Sequence, residues 1–229
     1  EGRYRMEFRH EYKYYINYGD YIVLRQRLRA VLQSDPHADE NGEYHIRSLY
    51  FDNYSDKALR EKLDGVNIRE KFRIRYYNHD LNVILLEKKS KINGLCNKQS
   101  VNITKEQAQK IIHGEIEWMG KSKEHLLVEL YAKMCYEQLR PKVIVDYTRE
   151  PFIFPAGNVR ITLDRDIRTG LSDVDALNPD VITIPAGDAK ILLEVKYDAF
   201  LPTVVRDILQ LNDRRANAFS KYASCRMYG

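Results

Sequence analysis

Glu194 and Lys196 stand two residues apart in Ile191-Leu192-Leu193-Glu194-Val195-Lys196-Tyr197. In an extended strand that spacing puts a carboxylate and an ammonium on one face, while Leu193, Val195 and Tyr197 take the other. The same alternation recurs along the chain. Arg9, Glu11 and Lys13 share a face, as do Arg73 with Arg75, Glu87 with Lys89, and Tyr147 with Arg149; Lys98 and Arg160 occupy equivalent places in two further strands. A single strand of this kind is ordinarily a solvated face. At least five, each with apolar residues opposite, call for a shared lumen in which the charged faces converge. Basic groups gathered there require an anionic partner, because like charges are costly to bury together. Arginine grips phosphate oxygens in a two-pronged fork and lysine acts as a point charge. The glutamates then suit a divalent cation bridging phosphate oxygens, or charge balance.

Strands are expected over Phe8 to Tyr15, Tyr44 to Asn53, Asn67 to Tyr77, Asn82 to Ser90, Leu95 to Ile103, Pro141 to Glu150, Asn158 to Arg165 and Ile191 to Tyr197. Asn78-His79-Asp80 and Asn93-Gly94 are turn signals between them. Helices are expected over Gly19 to Gln33, capped by Asn17 and striped by Ile22, Leu24, Leu28, Val31 and Leu32; over Ser55 to Lys62, with Ser55 as cap; and from Thr104 to His113, where Thr104 and Gln107 form a capping box. Another runs from Ser122 to Gln138, and two more span Thr203 to Leu211 and Asn217 to Cys225. Leu171 to Gly187 reads as a loop or short hairpin. Arg69, Lys71 and Lys91 share the charged parity but lie near strand ends, so they read as rim or solvent residues. Strands and helices do not alternate as in a doubly wound parallel sheet. The expected fold is α+β: a closed antiparallel barrel of about eight strands with helices packed outside.

The chain has 229 residues and no Pro-, Gly- or Ser-rich linker, so residues 1–229 read as one domain. Lysine and arginine total 37 against 33 acids, a net charge of +4, too small for nucleic acid binding by bulk charge. The basic residues also sit in strands rather than on one exposed helix. Cys96, Cys135 and Cys225 are odd in number and far apart, which argues against zinc or a disulfide framework and fits a reducing compartment. The six histidines lack metal-binding spacing, and no glycine-rich phosphate loop is present. Ser220 has no nearby histidine to activate it and reads as a helix-start hydroxyl or phosphate contact. No apolar run is long enough to cross a membrane, and a cytoplasmic location is expected.

These motifs, in order, resemble the triphosphate tunnel metalloenzymes. Arg9-His10-Glu11-Tyr12-Lys13 looks like that superfamily's ExExK strand with arginine for the first glutamate. That change is similar to the VTC (vacuolar transporter chaperone) branch, the polyphosphate polymerase domain. Ser48-Leu49-Tyr50-Phe51-Asp52, Lys71-Phe72-Arg73-Ile74-Arg75-Tyr76, Glu87-Lys88-Lys89, Lys98, Tyr147-Thr148-Arg149, Arg160-Ile161-Thr162-Leu163-Asp164, Leu193-Glu194-Val195-Lys196 and Ser220-Lys221-Tyr222 resemble the remaining VTC segments. The resemblance runs from about residue 7 to 225.

It implies transfer of the ATP γ-phosphoryl group to inorganic polyphosphate, with manganese or magnesium. Arg73, Arg75, Lys89, Arg149, Arg160 and Lys221 would bind phosphate, with Lys13 and Lys98 near the tunnel ends. Lys196 and Ser220 would assist, and Tyr147 would lie near the adenine at a rim. Glu194 would hold the metal, with Glu11 and Glu87 as further metal or charge-balancing groups. ATP and polyphosphate are the expected partners, with a membrane protein on a separate chain as another. A triphosphatase of the same fold and a non-catalytic polyphosphate or nucleotide sensor are the alternatives. The retained Glu194 argues against the sensor.

Overall fold

The computed structural model describes residues 9–92, 95–188, 190–210 and 220–227. Ten strands and six α-helices are found among them: β1 (His10–Ile16), α1 (Tyr18–Val31), β2 (Gln33–Ser34), β3 (Tyr44–Asp52), α2 (Lys57–Leu63), β4 (Ile68–Tyr77), β5 (Asp80–Ile92), β6 (Leu95–Ile103), α3 (Lys105–His113), α4 (His125–Tyr136), β7 (Arg140–Phe154), β8 (Val159–Thr169), β9 (Ile184–Pro185), β10 (Ile191–Tyr197), α5 (Thr203–Ile208) and α6 (Lys221–Met227). The pairs β1/β10, β10/β8, β2/β7, β3/β4, β4/β5, β5/β6 and β8/β9 are all antiparallel. The α+β class therefore stands. None of the ladders among the described residues closes a sheet into a barrel. No described helix is long and apolar enough to cross a membrane.

The chain divides into two compact units, each assembled from three segments. The first comprises Glu1–His45, Tyr147–Ile167 and Gly187–Phe219. Its strands follow the order β1-β10-β8-β7, with β2 added to β7. Strand parity decides its core. Ile161 and Leu163 of β8, Leu193 and Val195 of β10 and Ile16 of β1 point away from the charged face and pack with Tyr21, Leu24 and Leu28 of α1 and Val205 of α5. Asn17 caps α1 by accepting the Asp20 amide at 2.8 Å. The expected stripe needs one correction: Ile22 and Val31 are each 42 % exposed, and Tyr21 is buried in their stead. A helix turning 100° per residue places 21, 24, 28 and 32 on one side, and 22 and 31 fall off its edges.

The second unit comprises Ile46–Asp146, Arg168–Ala186 and Ser220–Gly229. Its strands run β7-β3-β4-β5-β6, and β9 pairs with the end of β8. Leu49 and Phe51 of β3, Phe72, Ile74 and Tyr76 of β4, and Ile84 and Leu86 of β5 form a second core with Ala108 and Ile111 of α3 and Leu127, Leu130 and Met134 of α4. Buried beside it, Arg47 forks onto Asp146 with two 2.9 Å hydrogen bonds. The Thr104–Gln107 capping box is present on α3. Helix α2 is not capped by Ser55. Asp52 accepts the Ala58 and Leu59 amides, and Asn53 accepts that of Lys57. The strand β3 therefore supplies the cap from its own end. Helix α6 spans Lys221–Met227, and 217–219 lie outside the described residues, as do Phe8, the Asn93-Gly94 turn and Leu211.

Candidate functional site

In the first unit, register lines the charged residues into rows across β1, β10 and β8. Lys13 is opposite Glu194, which is opposite Thr162; Glu11 is opposite Lys196, which is opposite Arg160. Glu194 is 5 % exposed. Lys13 Nζ lies 3.4 Å from its Oε1, Lys196 Nζ 3.4 Å from its Oε2, and Arg149 Nη2 3.8 Å from the same Oε2. Lys13 also bonds Glu11 at 2.8 Å. Burial alone would make Lys13 a weaker base, but Glu194 and Glu11 outweigh that and hold its ammonium well above the ordinary lysine range. Arg149 on β7 forks onto Asp164 at 2.6 and 2.7 Å, and Asp164 is fully buried. That fork fixes the guanidinium plane, which also lies 5.4 Å from the Tyr147 ring centroid. Tyr147 is only 3 % exposed, so its ring is buried against Arg149 rather than open at a rim. Arg160 is held at one edge by Asp35 (2.9 Å) and the Tyr44 hydroxyl (2.7 Å).

Arg9, read from parity as part of this face, instead bonds Asp198 at 2.7 Å and the Asn158 carbonyl. It sits before the first ladder pair, where strand alternation no longer dictates direction.

In the second unit, Tyr50, Arg73 and Glu87 are in register across β3, β4 and β5, and Lys71, Lys89 and Lys98 across β4, β5 and β6. Glu87, 1 % exposed, takes Arg73 at 2.6 Å, Lys98 at 3.0 Å and Arg75 at 3.8 Å. Burial would favour its neutral acid, yet Arg73, Arg75 and Lys98 hold it far below the usual carboxylate range. Its oxygens serve as counter-charge to arginine and lysine. Like charges directly opposite one another cost stability, and in the lysine row Glu87 meets Lys98. Lys71, placed at the rim by its position near a strand end, belongs to this row; its ammonium lies 5.3 Å from the Tyr50 ring centroid and 5.9 Å from that of Tyr222. Arg73 donates to the Tyr50 hydroxyl at 2.7 Å, and Arg75 to Ser48 at 3.0 Å. Burial would raise the Tyr50 phenol, but Arg73, Lys71 and Arg75 outweigh it and bring it down to about 7. Tyr222 donates to Asp52. Ser220 and Lys221 are both buried, and the Ser220 hydroxyl accepts the Ala223 amide at the start of α6. Sequence reading left Tyr50 and Tyr222 without a role and set Lys71 at the rim or in solvent. Tyrosine in a strand reads as β-propensity, and only the row across strands gives it a cationic setting.

No cluster of three or more histidine, cysteine or acidic side chains suited to a metal occurs among the described residues. Glu194 and Glu11, joined through Lys13, offer two carboxylates in one place. That set fits a hard divalent ion only if phosphate oxygens and water complete its shell, as magnesium commonly accepts. Glu87 meets Arg73, Arg75 and Lys98 and balances their charge.

Two solved structures share the fold. One is a Bacillus halodurans protein solved as a candidate adenylate cyclase, with a TM-score of 0.50, 12 % identity, and 88 % of this chain and 84 % of that one covered. The other is the PH1012 protein of Pyrococcus horikoshii OT3, also with a TM-score of 0.50 and 12 % identity, over 93 % of this chain and 96 % of that one. At such identity the likeness concerns the fold alone. No curated protein sequence matches. The profile of the VTC domain matches residues 8–228, nearly the whole length, with the rows of β1, β4, β5, β7, β8 and β10 all inside it. The chain belongs to the VTC domain family.

Proposed function

We propose that this chain is a polyphosphate polymerase, transferring the γ-phosphoryl group of ATP to the end of an inorganic polyphosphate chain. Closure of the strands into a tunnel, with the charged faces lining it, is part of this reading. The observation that carries it is Glu194, a buried carboxylate clamped by Lys13, Lys196 and Arg149 within a VTC domain. A terminal oxygen of the polyphosphate forms a bond to the γ-phosphorus as the bond from that phosphorus to the ADP oxygen breaks. The electron pair of the broken bond leaves on ADP. Both reactants are anions, so the work of the protein is alignment and charge neutralisation. Arg73, Arg75, Lys89, Arg149, Arg160 and Lys221 bind phosphate oxygens, assisted by Lys13, Lys98, Lys196 and Ser220. Arg149 is pre-aimed by Asp164, so little is lost in ordering it on binding. Glu194, with Glu11, would hold manganese or magnesium, which when bound supplies a Lewis acid that spreads charge off the phosphate oxygens. No protein nucleophile is needed. ATP and polyphosphate are the substrates; a cytoplasmic site of action and a membrane-protein partner complete the reading.

The test is turnover with ATP and manganese, with and without a short polyphosphate primer, following ADP, free phosphate and long polymer together. ADP release matched by polymer growth, abolished by Glu194→Gln, is expected. Free phosphate equal to ADP and no polymer would make the chain a triphosphatase. Tight polyphosphate binding without turnover would make it a sensor.

A further inference from the structure

Thr162 lies on the charged face of β8, between Arg160 and Asp164, and opposite Glu194. It is 2 % exposed, and its hydroxyl has no hydrogen-bond partner among the described residues. A buried hydroxyl left unmet costs about 1–3 kcal/mol, so natural folds rarely keep one idle. The acceptors beside it are committed elsewhere. Both oxygens of Asp164 accept from Arg149, and those of Glu194 face Lys13, Lys196 and Arg149. One position along the same face, Arg160 presents a second unmet buried donor, its Nε, while Nη2 is held by Asp35 and Tyr44. Two unmet donors at alternate positions of one strand, among Lys13, Lys196 and Arg149, match a ligand that is anionic and carries several acceptor oxygens.

We propose that Thr162 contacts the substrate, its hydroxyl donating to a phosphate oxygen held beside Glu194, with Arg160 Nε donating on the same face. The proposal rests on the polyphosphate reading above and adds to it a neutral donor within a cationic row. Such a group fixes where a phosphate oxygen sits without adding charge that would slow its release. Valine keeps the shape of threonine and removes the hydroxyl; serine keeps the hydroxyl.

The probe is inorganic tripolyphosphate with manganese, its affinity read by titration calorimetry on the whole chain. Thr162→Val is expected to bind about 10- to 100-fold more weakly, the range for losing a hydrogen bond to a charged group. Thr162→Ser is expected to restore binding. The ligand-free Thr162→Val protein is expected to melt at or above the wild-type temperature, since an unmet polar group has been removed. Unchanged affinity in Thr162→Val would overturn the proposal and mean that water satisfies the hydroxyl. A lowered melting temperature with unchanged affinity would also overturn it, leaving a structural hydroxyl. Manganese affinity without phosphate, read from the free-ion electron paramagnetic resonance signal, is expected not to change; a drop would move the hydroxyl to the metal and overturn the assignment. Failure of the wild-type chain to bind tripolyphosphate at all would instead bring down the polyphosphate reading, and this proposal with it.

Discussion

The Tyr50 phenol is 4 % exposed, yet Arg73, Lys71 and Arg75 draw it down to about 7 against burial. Its pKa is depressed on folding, so its ionised form stabilises the fold. That contribution is complete above the unfolded phenol's value of about 10 and is lost as pH falls through 7. An ultraviolet difference titration is expected to show one tyrosinate among the 17 tyrosines appearing near pH 7, and none there in Tyr50→Phe. A first transition only above pH 9 would refute this setting. The charges around Tyr50 were partly legible in the sequence, since Arg73 and Arg75 declare one face by spacing alone. The pairing of each guanidinium with its counter-charge was not. Glu87 lies 14 residues from Arg73, and Asp164 lies 15 from Arg149, and which oxygen meets which guanidinium depends on the register of neighbouring strands. Thr162 was quoted within a motif but could not be singled out, because an unmet hydroxyl is defined by every neighbour that fails to meet it.

At the scale of elements, local signals read true where cap and helix adjoin. Asn17 and the Thr104–Gln107 box lie immediately before the helices they cap. Helix α2 differs because its cap comes from the end of β3, so Asp52 looks like one more strand residue. Asp52 accepts the amides of Ala58 and Leu59 and the hydroxyl of Tyr222, and is 1 % exposed. Asp52→Ala is therefore expected to cost about 2–4 kcal/mol, combining a lost cap with a stranded buried hydroxyl. Thr104→Ala, losing a cap only, is expected to cost about 1 kcal/mol. Urea denaturation of both variants checks the difference; equal costs would mean that the Tyr222 bond contributes nothing. Strand ends were the least legible feature. Strand β7 continues to Phe154 and β8 to Thr169, because β2 and β9, each of two residues, pair with their extensions. Two-residue strands leave no periodicity to detect.

For the whole molecule, a net charge of +4 conceals strong local concentration. Lys71, Lys89 and Lys98 stand abreast, and Lys13, Lys196, Arg149 and Arg160 share the faces of adjoining strands. Tripolyphosphate affinity is accordingly expected to fall by about an order of magnitude between low and high salt, as screening weakens attraction between exposed ligand and protein charges. Insensitivity to salt in calorimetry would contradict phosphate capture by these rows. The α+β class followed from alternation and from the scarcity of strand–helix–strand rhythm. The division into two units could not be foreseen, because no linker marks it. The chain passes from one unit to the other within β3, and again within β7. That threading bears on how the protein is made. The core residues of the first unit extend to Val205, and the buried Tyr222 belongs to the second. A ribosome delivering the chain from its beginning therefore releases neither unit in a form that can finish folding early. Apolar strand faces such as Phe72, Ile74 and Tyr76 await core partners as distant along the chain as Val181, and pairing over such separations is slow and leaves apolar surface exposed while it forms.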